Sequence, residues 1–346
     1  MKKILWSGVI FLALGLAYWT WQGIEERTVV YQDGYPDLRG QHIVVYVSCR
    51  DEVGKAFLEL FKDKTGCSYE YLKMTTPEAL ARIRAEREHP KADIFIGGTC
   101  DAHILAKEEG LTEKYVSKNY DMVAGRYKDS DGYWIGIGTS PLSIIVNKER
   151  WEKEYQSKGL SLPQSYEDLL NPAYHGEVIV SDPNTSGTAY TMLAYLNQRM
   201  GSERTLDFLH RLKANVGEFT INGYTPAQKV AAGEYLFGVN FLNDQLCVLE
   251  SGFAVLTIIP PQCGWSMDAV SKIKKGPNKA VGRYFIDFCT TKEIQEEVSR
   301  ISFSMPIRSD AEAGPNLGQF DIYEEFDFIK ASRDRAHLLQ VWNDFV

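Results

Sequence analysis

Short apolar runs alternate with helical patterns along the chain from His42 onward. The runs at 42–48, 68–74 and 92–98 are predicted to be strands because they are rich in β-branched and aromatic residues. Between them, apolar residues recur at three- and four-residue spacing, which predicts helices. This strand–helix–strand–helix–strand order predicts a parallel sheet covered by helices.

The second half repeats this style in a different arrangement. The run at 138–147 resembles a strand that leaves the first sheet, and 176–182, 234–241 and 253–261 are predicted to be further strands. Amphipathic helices are predicted among these strands and at the end of the chain. The simplest arrangement is an α/β protein of two lobes, between which the chain crosses twice.

Each lobe is expected to be a mixed, mostly parallel sheet flanked by helices. Lobe 1 is predicted to contain residues 42–139 and 271–346, and lobe 2 residues 140–270. Ligands of α/β sheets gather at the carboxyl ends of the strands. A ligand cleft is therefore expected where the strand ends of both lobes meet.

One stretch, 181–200 ("SDPNTSGTAYTMLAYLNQRM"), places hydroxylated and small residues directly before a helical apolar pattern. A strand at 178–180 precedes it, so a hydroxyl-rich turn joins a strand to the start of a helix. Free N–H groups and the positive end of the helix dipole make such a turn suitable for an anion. Ordinary capping of one helix explains the same residues, and the sequence leaves both possibilities open.

The first 24 residues differ from the rest. A lysine pair, Lys2 and Lys3, precedes an apolar run from Ile4 to about Trp21, as in a secretory signal peptide. The aromatic residues that end the run also suit an uncleaved membrane anchor. Both alternatives place the remainder outside the cytoplasmic membrane, in the periplasm.

Composition and charge limit the classes of function that the protein can have. The 346 residues are 44% hydrophobic and 24% charged, with a formal net charge of −8, as in a folded acidic protein. Acidity without a basic cluster argues against nucleic acid as a partner. The six cysteines, an even number in an exported chain, permit disulfides, but their spacing indicates no pairing and no zinc motif. They are Cys49, Cys67, Cys100, Cys247, Cys263 and Cys289.

The search for catalytic motifs finds no HExxH, no GxSxG and no GxxxxGK[ST]. His89, His103 and His210 are expected to be solvated helix residues. We therefore predict no catalytic residues, no metal site and no cofactor, and a monomer that binds its ligand without reacting with it.

Three stretches carry a family resemblance: 79–111 ("ALARIRAEREHPKADIFIGGTCDAHILAKEEGL"), 162–194 ("LPQSYEDLLNPAYHGEVIVSDPNTSGTAYTMLA") and 222–244 ("NGYTPAQKVAAGEYLFGVNFLND"). They resemble the periplasmic substrate-binding proteins of ABC importers, in the branch that contains ferric-ion-binding, sugar-phosphate-binding and phosphonate-binding proteins. The resemblance covers about residues 42–308. It implies the two-lobed type II fold, closure on a small ligand, delivery to a permease in the cytoplasmic membrane, and no catalysis.

The resemblance also bears on the ligand. Ferric-binding members use an adjacent pair of tyrosines, and this chain has Tyr224 alone in the matching loop. After its first strand it has Ser48, Cys49 and Arg50 where those members commonly have a histidine. An anionic ligand, a sugar phosphate or a phosphonate, is therefore the main expectation, and ferric iron is the alternative.

The ligand-binding residues are expected at the strand ends and in the hydroxyl-rich turn. They are Ser48, Arg50, Thr99, Ser140, Thr185, Ser186, Gly187, Thr188, Tyr224 and Asp244. Arg50 is expected to bind the anion and Asp244 to accept hydrogen bonds from ligand hydroxyls, as the resemblance implies. The alternatives are a surface ion pair of Arg50 with Asp51 or Glu52, helix capping by Thr99 and Thr185, a first-turn acid at Asp244, and core packing of Tyr224.

Overall fold

A computed structural model describes residues 30–32 and 34–345. The strands are β1 (Tyr31–Gln32), β2 (Tyr35–Pro36), β3 (His42–Val47), β4 (Ser68–Lys73), β5 (Ile94–Thr99), β6 (Thr112–Glu113), β7 (Ile135–Asn147), β8 (Val178–Ser181), β9 (Val216–Thr220), β10 (Phe237–Phe241), β11 (Val255–Ile258) and β12 (Trp265–Ile273). The helices are α1 (Asp51–Thr65), α2 (Thr76–Ala85), α3 (Cys100–Glu108), α4 (Lys148–Arg150), α5 (Gly187–Met200), α6 (Ser202–Lys213), α7 (Thr225–Ala231), α8 (Leu242–Glu250), α9 (Lys279–Cys289), α10 (Lys292–Ser302) and α11 (Phe328–Phe345).

The main sheet runs β4-β3-β5-β12-β7-β10-β8-β9, with β6 beside β12 and β11 beside β7. At one end β4, β3 and β5 are parallel, as the alternating pattern predicts. At the other end β9, β8 and β10 are parallel. Each parallel set lies with its helices in one lobe, and the carboxyl ends of both sets face the region between the lobes.

Two antiparallel strands, β7 and β12, connect the lobes. The first half of β7 pairs with β12, where Thr139 lies opposite Met267, and its second half pairs with β10, where Ile144 lies opposite Val239. β12 also pairs with β5, where Asp268 lies opposite Thr99. The sequence predicted β7 as a crossing strand but did not identify β12.

Separate apolar cores stabilise the two lobes. In the first lobe, Phe57 and Phe61 of α1 pack with Phe285 of α9, and all three side chains are at most 1% exposed. In the second lobe, Tyr190 and Tyr195 of α5 pack in a larger cluster under the β8 side of the sheet. Burial of such apolar faces against each sheet is the main stabilising contribution.

The last helix, α11, contacts α3 of the first lobe and α5 of the second. Its residues Ala331, Leu338 and Trp342 belong to the apolar core of the second lobe. The predicted lobe boundaries, which place 271–346 in lobe 1, stay a prediction.

All six cysteines are free thiols, and five of them are buried, so they serve as small apolar side chains. The predicted signal peptide or anchor at residues 1–24 lies outside the described residues. Within the part of the chain that the structure describes, no helix has the length and apolarity to cross a lipid bilayer.

Candidate functional site

A cavity of about 560 Å³ lies between the lobes at the carboxyl ends of the strands. Nine of the ten predicted ligand-binding residues line it: Ser48, Arg50, Thr99, Thr185, Ser186, Gly187, Thr188, Tyr224 and Asp244. The tenth, Ser140, is a buried residue of β7 whose Oγ accepts a hydrogen bond from the N–H group of Asn243, 3.1 Å away. Ser140 therefore supports the first turn of α8, which contains Asp244, and is not among the lining residues.

The first turns of several helices converge on this cavity. Asp51 of α1, Thr76 of α2 and Gly187 of α5 line it, as does Asp244 in the first turn of α8. The first N–H groups of a helix have no intrahelical acceptor, and they carry the positive end of the helix dipole. Helices from both lobes therefore give the cavity a field that favours an anion.

The turn at 181–188 is both a helix cap and a source of free donors. The N–H groups of Thr185 and Ser186 donate to the backbone oxygen of Asp182, at 3.1 and 2.9 Å, and Ser186 Oγ accepts from Ala189 N–H at 3.4 Å. Gly187 and Thr188 are the first two residues of α5, so their N–H groups have no acceptor within the helix. These two groups are the donors that remain for a ligand.

Glycine at 187 permits the close approach of the two lobes. A Cβ atom at this position would lie 2.6 Å from Oγ1 of Thr99 and 3.1 Å from Oγ1 of Thr76, both in the first lobe. Gly98 permits close packing within the first lobe, since its φ of +76° and the nearby Thr76 hydroxyl both disfavour a side chain there. We call the group Ser48, Thr76, Thr99, Gly187 and Thr188 the donor seat.

Hydroxyl groups of the donor seat lack partners in the structure. Oγ of Ser48 and Oγ1 of Thr99 are buried and make no hydrogen bond with any described residue. Thr99 occupies the N-cap position of α3 without making a side-chain capping bond, so capping does not account for its hydroxyl. A buried polar group without a partner is costly, which makes these hydroxyls ready to bond a ligand.

Arg50 extends across the cavity from the N-cap position of α1. Its Nε lies 3.3 Å from Oδ1 of Asp244 in the second lobe, and Nη2 donates to the carbonyl of Ser302 at 2.9 Å. The guanidinium also lies over the ring of Tyr224, 5.7 Å from the ring centre. The expected alternative, a surface ion pair of Arg50 with Asp51 or Glu52, is wrong, because the side chain is buried and contacts Asp244.

Two carboxyl groups, Asp244 and Asp268, lie together beside this arginine; we call them the acid pair. Burial raises the pKa of Asp244 to about 6, an effect that the charge of Arg50 opposes. Burial, and then the charge of Asp244, raise the pKa of Asp268 to about 7. The acid pair is thus poised to change protonation near neutral pH.

Tyr224 lies at the edge of the cavity. Its hydroxyl donates to Sγ of Cys247, 3.5 Å away, and burial raises the pKa of the phenol above its ordinary value. Both effects oppose the phenolate form that a hard metal ion requires.

Several cavity residues were missed from the sequence: Lys73, Thr76, Asn243 and Asp268. Thr76 follows the predicted strand at 68–74, and Asn243 follows the predicted strand at 234–241. Both could therefore have been found as further strand-end residues. Asp268 lies on β12, which was not recognised as a strand, so no signal placed it near Thr99. His103, expected to be solvated, is fully buried, and its ring bonds Ser271 and the carbonyl of Gly97.

The last helix, α11, contacts the elements that carry the donor seat. Arg335 of α11 forms a buried ion pair with Asp101 of α3 at 2.5 Å, and its guanidinium lies 4.1 Å from the ring centre of Tyr190 in α5. Trp342 donates to Oδ1 of Asp182 at 3.1 Å. α11 therefore fixes the spacing between α3 and α5, which begin at Cys100 and Gly187.

Comparison with known proteins identifies the class. A family model described as bacterial extracellular solute-binding protein matches residues 89–330, more than half of the chain. A Haemophilus influenzae protein, described as uncharacterized, is 30% identical over 312 residues, which cover 87% of this chain and 89% of that protein. The chain therefore belongs to the family of bacterial extracellular solute-binding proteins.

Two further matches narrow the branch. The solved periplasmic binding protein AfuA from Actinobacillus pleuropneumoniae, with exogenous fructose-6-phosphate bound, is 29% identical, with a TM-score of 0.83 and coverage of 88% of this chain and 98% of that one. A putative 2-aminoethylphosphonate-binding periplasmic protein of Salmonella typhi is 25% identical over 262 residues, 73% of each chain. These matches confirm the predicted class, a substrate-binding protein of an ABC importer with a two-lobed α/β fold.

Proposed function

We propose that this protein binds a small organic phosphate or phosphonate in the cavity between its lobes and delivers it to an ABC permease. The observation that carries the proposal is the donor seat, where the start of α5, with the free N–H groups of Gly187 and Thr188, packs at Gly187 against the hydroxyls of Thr76 and Thr99. Tetrahedral oxyanions have several acceptor oxygens, so a group of donors from both lobes suits them.

The seat also links binding to closure. Its donors come from both lobes, so one oxyanion bonded to all of them holds the lobes together. Arg50 supplements this contact, since it reaches Asp244 from the first lobe. A permease that recognises the closed form would then receive only loaded protein.

The side chains around the seat support binding without reaction. N–H groups and hydroxyls form hydrogen bonds with an oxyanion. The acidic residues that line the cavity are Asp51, Glu52, Glu78, Asp244 and Asp268. We further infer that the exported protein acts as a monomer, retained at the membrane only if residues 1–24 stay uncleaved.

Ferric iron, the alternative ligand, is disfavoured by the state of Tyr224. Its hydroxyl is bonded to Cys247 and its pKa is raised, whereas a ferric ligand is a free phenolate.

A thermal-shift panel tests the proposal with fructose-6-phosphate, 2-aminoethylphosphonate, inorganic phosphate and ferric citrate. A ligand at 100 times its dissociation constant stabilises the folded state by about 2.7 kcal/mol, which raises the melting temperature by several degrees. We expect an organic phosphate or phosphonate to do this. A shift with ferric citrate alone, together with a visible tyrosinate charge-transfer band, would contradict the proposal.

A further inference from the structure

The carboxyl groups that line the cavity outnumber its cations, and most of them have local partners. Asp51 pairs with Lys55 at 2.7 Å, and Glu78 accepts hydrogen bonds from Thr75 in the capping box of α2. Asp244 has Arg50. For Asp268, which is less exposed than Glu52, the structure records no ion pair with any described residue, and Arg50 and Lys73 act on it only through longer-range attraction.

Asp268 is nevertheless placed by strand pairing. It lies on the crossing strand β12, opposite Thr99 on β5 and Gly138 on β7, and the register of both pairings shifts directly after it. The side chain lines the cavity next to Asp244. A carboxylate that has no ion pair and lies beside a second carboxylate is stabilised when a cation approaches it.

A cationic group on the ligand satisfies this requirement better than a hydroxyl group does. A hydroxyl donates one hydrogen bond to a carboxylate and leaves its charge in place. An ammonium group donates up to three and cancels the charge, so it bonds Asp268 and the free side of Asp244 together. The amide oxygen of Asn243, which is buried without a partner, is a further acceptor in the cavity.

The distance to the donor seat limits the length of the ligand. Paired residues on neighbouring strands have Cβ atoms about 5 Å apart on the same face of the sheet. Asp268 and Thr99 are such a pair, and Thr99 belongs to the donor seat. The cationic and anionic groups of one ligand are therefore separated by a short linker.

Building on the proposed function, we propose that the ligand is a short zwitterion, a phosphonate or phosphate monoester with a primary ammonium group two or three carbons away. Its oxyanion occupies the donor seat and its ammonium group binds the acid pair, with Asp268 as the residue that selects it. Arg50 stays on Asp244 and closes the far side of the cavity.

Calorimetric titration with two matched probes tests this inference. 2-Aminoethylphosphonate and ethylphosphonate share the oxyanion and differ in the ammonium group. Hydrogen bonds to a charged group predict that the wild-type protein binds the aminated probe about ten- to a hundredfold more tightly. Asp268→Asn is expected to reduce this ratio to about twofold, because the aminated probe loses its carboxylate partner.

Asp131→Asn is the matched control, because it removes the same charge at an exposed residue that pairs with Lys107 on the surface. It is expected to keep the wild-type ratio. The wild-type comparison alone decides the matter if Asp268→Asn does not fold.

Three results overturn the inference. Equal affinity for the two phosphonates contradicts it while leaving the proposed function intact. Tighter binding of fructose-6-phosphate than of either phosphonate, weakened by Asp268→Asn, assigns the acid pair to ligand hydroxyls and also leaves the proposed function intact. Binding of none of these three probes contradicts both the inference and the proposed function.

Discussion

The donor seat and the acid pair lie in the same cavity and differ in how they act. The donor seat consists of N–H groups and hydroxyls without formal charge, supplied by helix starts from both lobes. The acid pair consists of two carboxyl groups held by β12 and α8, with pKa values raised by burial. The seat therefore depends on the spacing of helices, whereas the acid pair depends on charge.

The largest expected effect concerns the spacing that the seat requires. Arg335→Met leaves the buried Asp101 without its partner, which costs about 3–5 kcal/mol of unfolding free energy. Because the variant loosens α3 against α5, ethylphosphonate affinity should also fall, while the preference for the aminated probe should persist. Chemical denaturation and calorimetric titration measure the two quantities.

The double variant Arg335→Met, Asp101→Asn is the control, since it removes the unpaired charge. It should recover part of the stability and little of the affinity. Full recovery of both would show that α11 does not set the spacing of the seat.

Gly187→Asp should abolish binding at the seat. The new side chain meets the hydroxyls of Thr99 and Thr76 and adds a negative charge beside the two free N–H groups. Loss of two charge-assisted hydrogen bonds corresponds to about 3 kcal/mol or more, at least about a hundredfold in dissociation constant by calorimetry.

Gly187→Ala separates bulk from charge at the same position. It adds only the Cβ atom, which lies 2.6 Å from Thr99 Oγ1, so an intermediate loss of affinity is expected. If both variants bind 2-aminoethylphosphonate as the wild type does, the oxyanion is not at the start of α5.

Ser186→Ala distinguishes capping from binding. Ser186 caps α5 through Ala189, so its removal should lower the unfolding free energy by about 1 kcal/mol. If the hydroxyl also bonds the ligand, affinity falls by about 1.5–3 kcal/mol as well. A variant that melts earlier but binds ethylphosphonate normally would restrict Ser186 to capping.

The acid pair gives an effect that grows with pH. The pKa of Asp268 is about 7 in the folded protein and about 3.9 in the unfolded chain, so ionisation destabilises the ligand-free fold as pH rises from about 4 to 7. The Asp268→Asn variant has no carboxyl group to ionise at this position, so it does not lose stability in this way. Its stability relative to the wild type should therefore increase with pH across that window, by at most about 1.4 kcal/mol per pH unit.

Denaturation of both proteins at several pH values measures this difference. Burial lowers the pKa of His103 to about 4. Its titration affects the stability of both proteins equally, so it cancels in the difference between them. A difference that does not change between pH 4 and 7 would show that Asp268 is not perturbed.

The two regions also differ in how well the sequence predicts them. The turn at 181–188 was found because its signals are local: a strand, hydroxylated residues and a helical pattern follow one another. The parallel sheet of the first lobe was predicted from the same kind of pattern, the alternation of strands and helices. These features depend on neighbours in the chain, so one sequence is enough to predict them.

The acid pair, and the ion pair of Arg335 with Asp101 that supports the donor seat, depend on residues that lie far apart in the sequence. Asp268 faces Thr99 only because β12 returns to the first lobe, and 234 residues separate Asp101 from Arg335. Arg50 was predicted to bind the anion, with a surface ion pair to Asp51 or Glu52 as the alternative, and its contact with Asp244 was not predicted. No local pattern encodes these contacts, since they arise when the lobes pack.

The central claim is that the N–H groups of Gly187 and Thr188 bind an oxyanion. Amide nuclear magnetic resonance of ¹⁵N-labelled protein, titrated with 2-aminoethylphosphonate, observes these groups directly. Hydrogen bonds to an anion should move the proton resonances of Gly187 and Thr188 downfield, further than those of residues distant from the cavity. Saturation with the probe while both resonances stay in place would contradict the account.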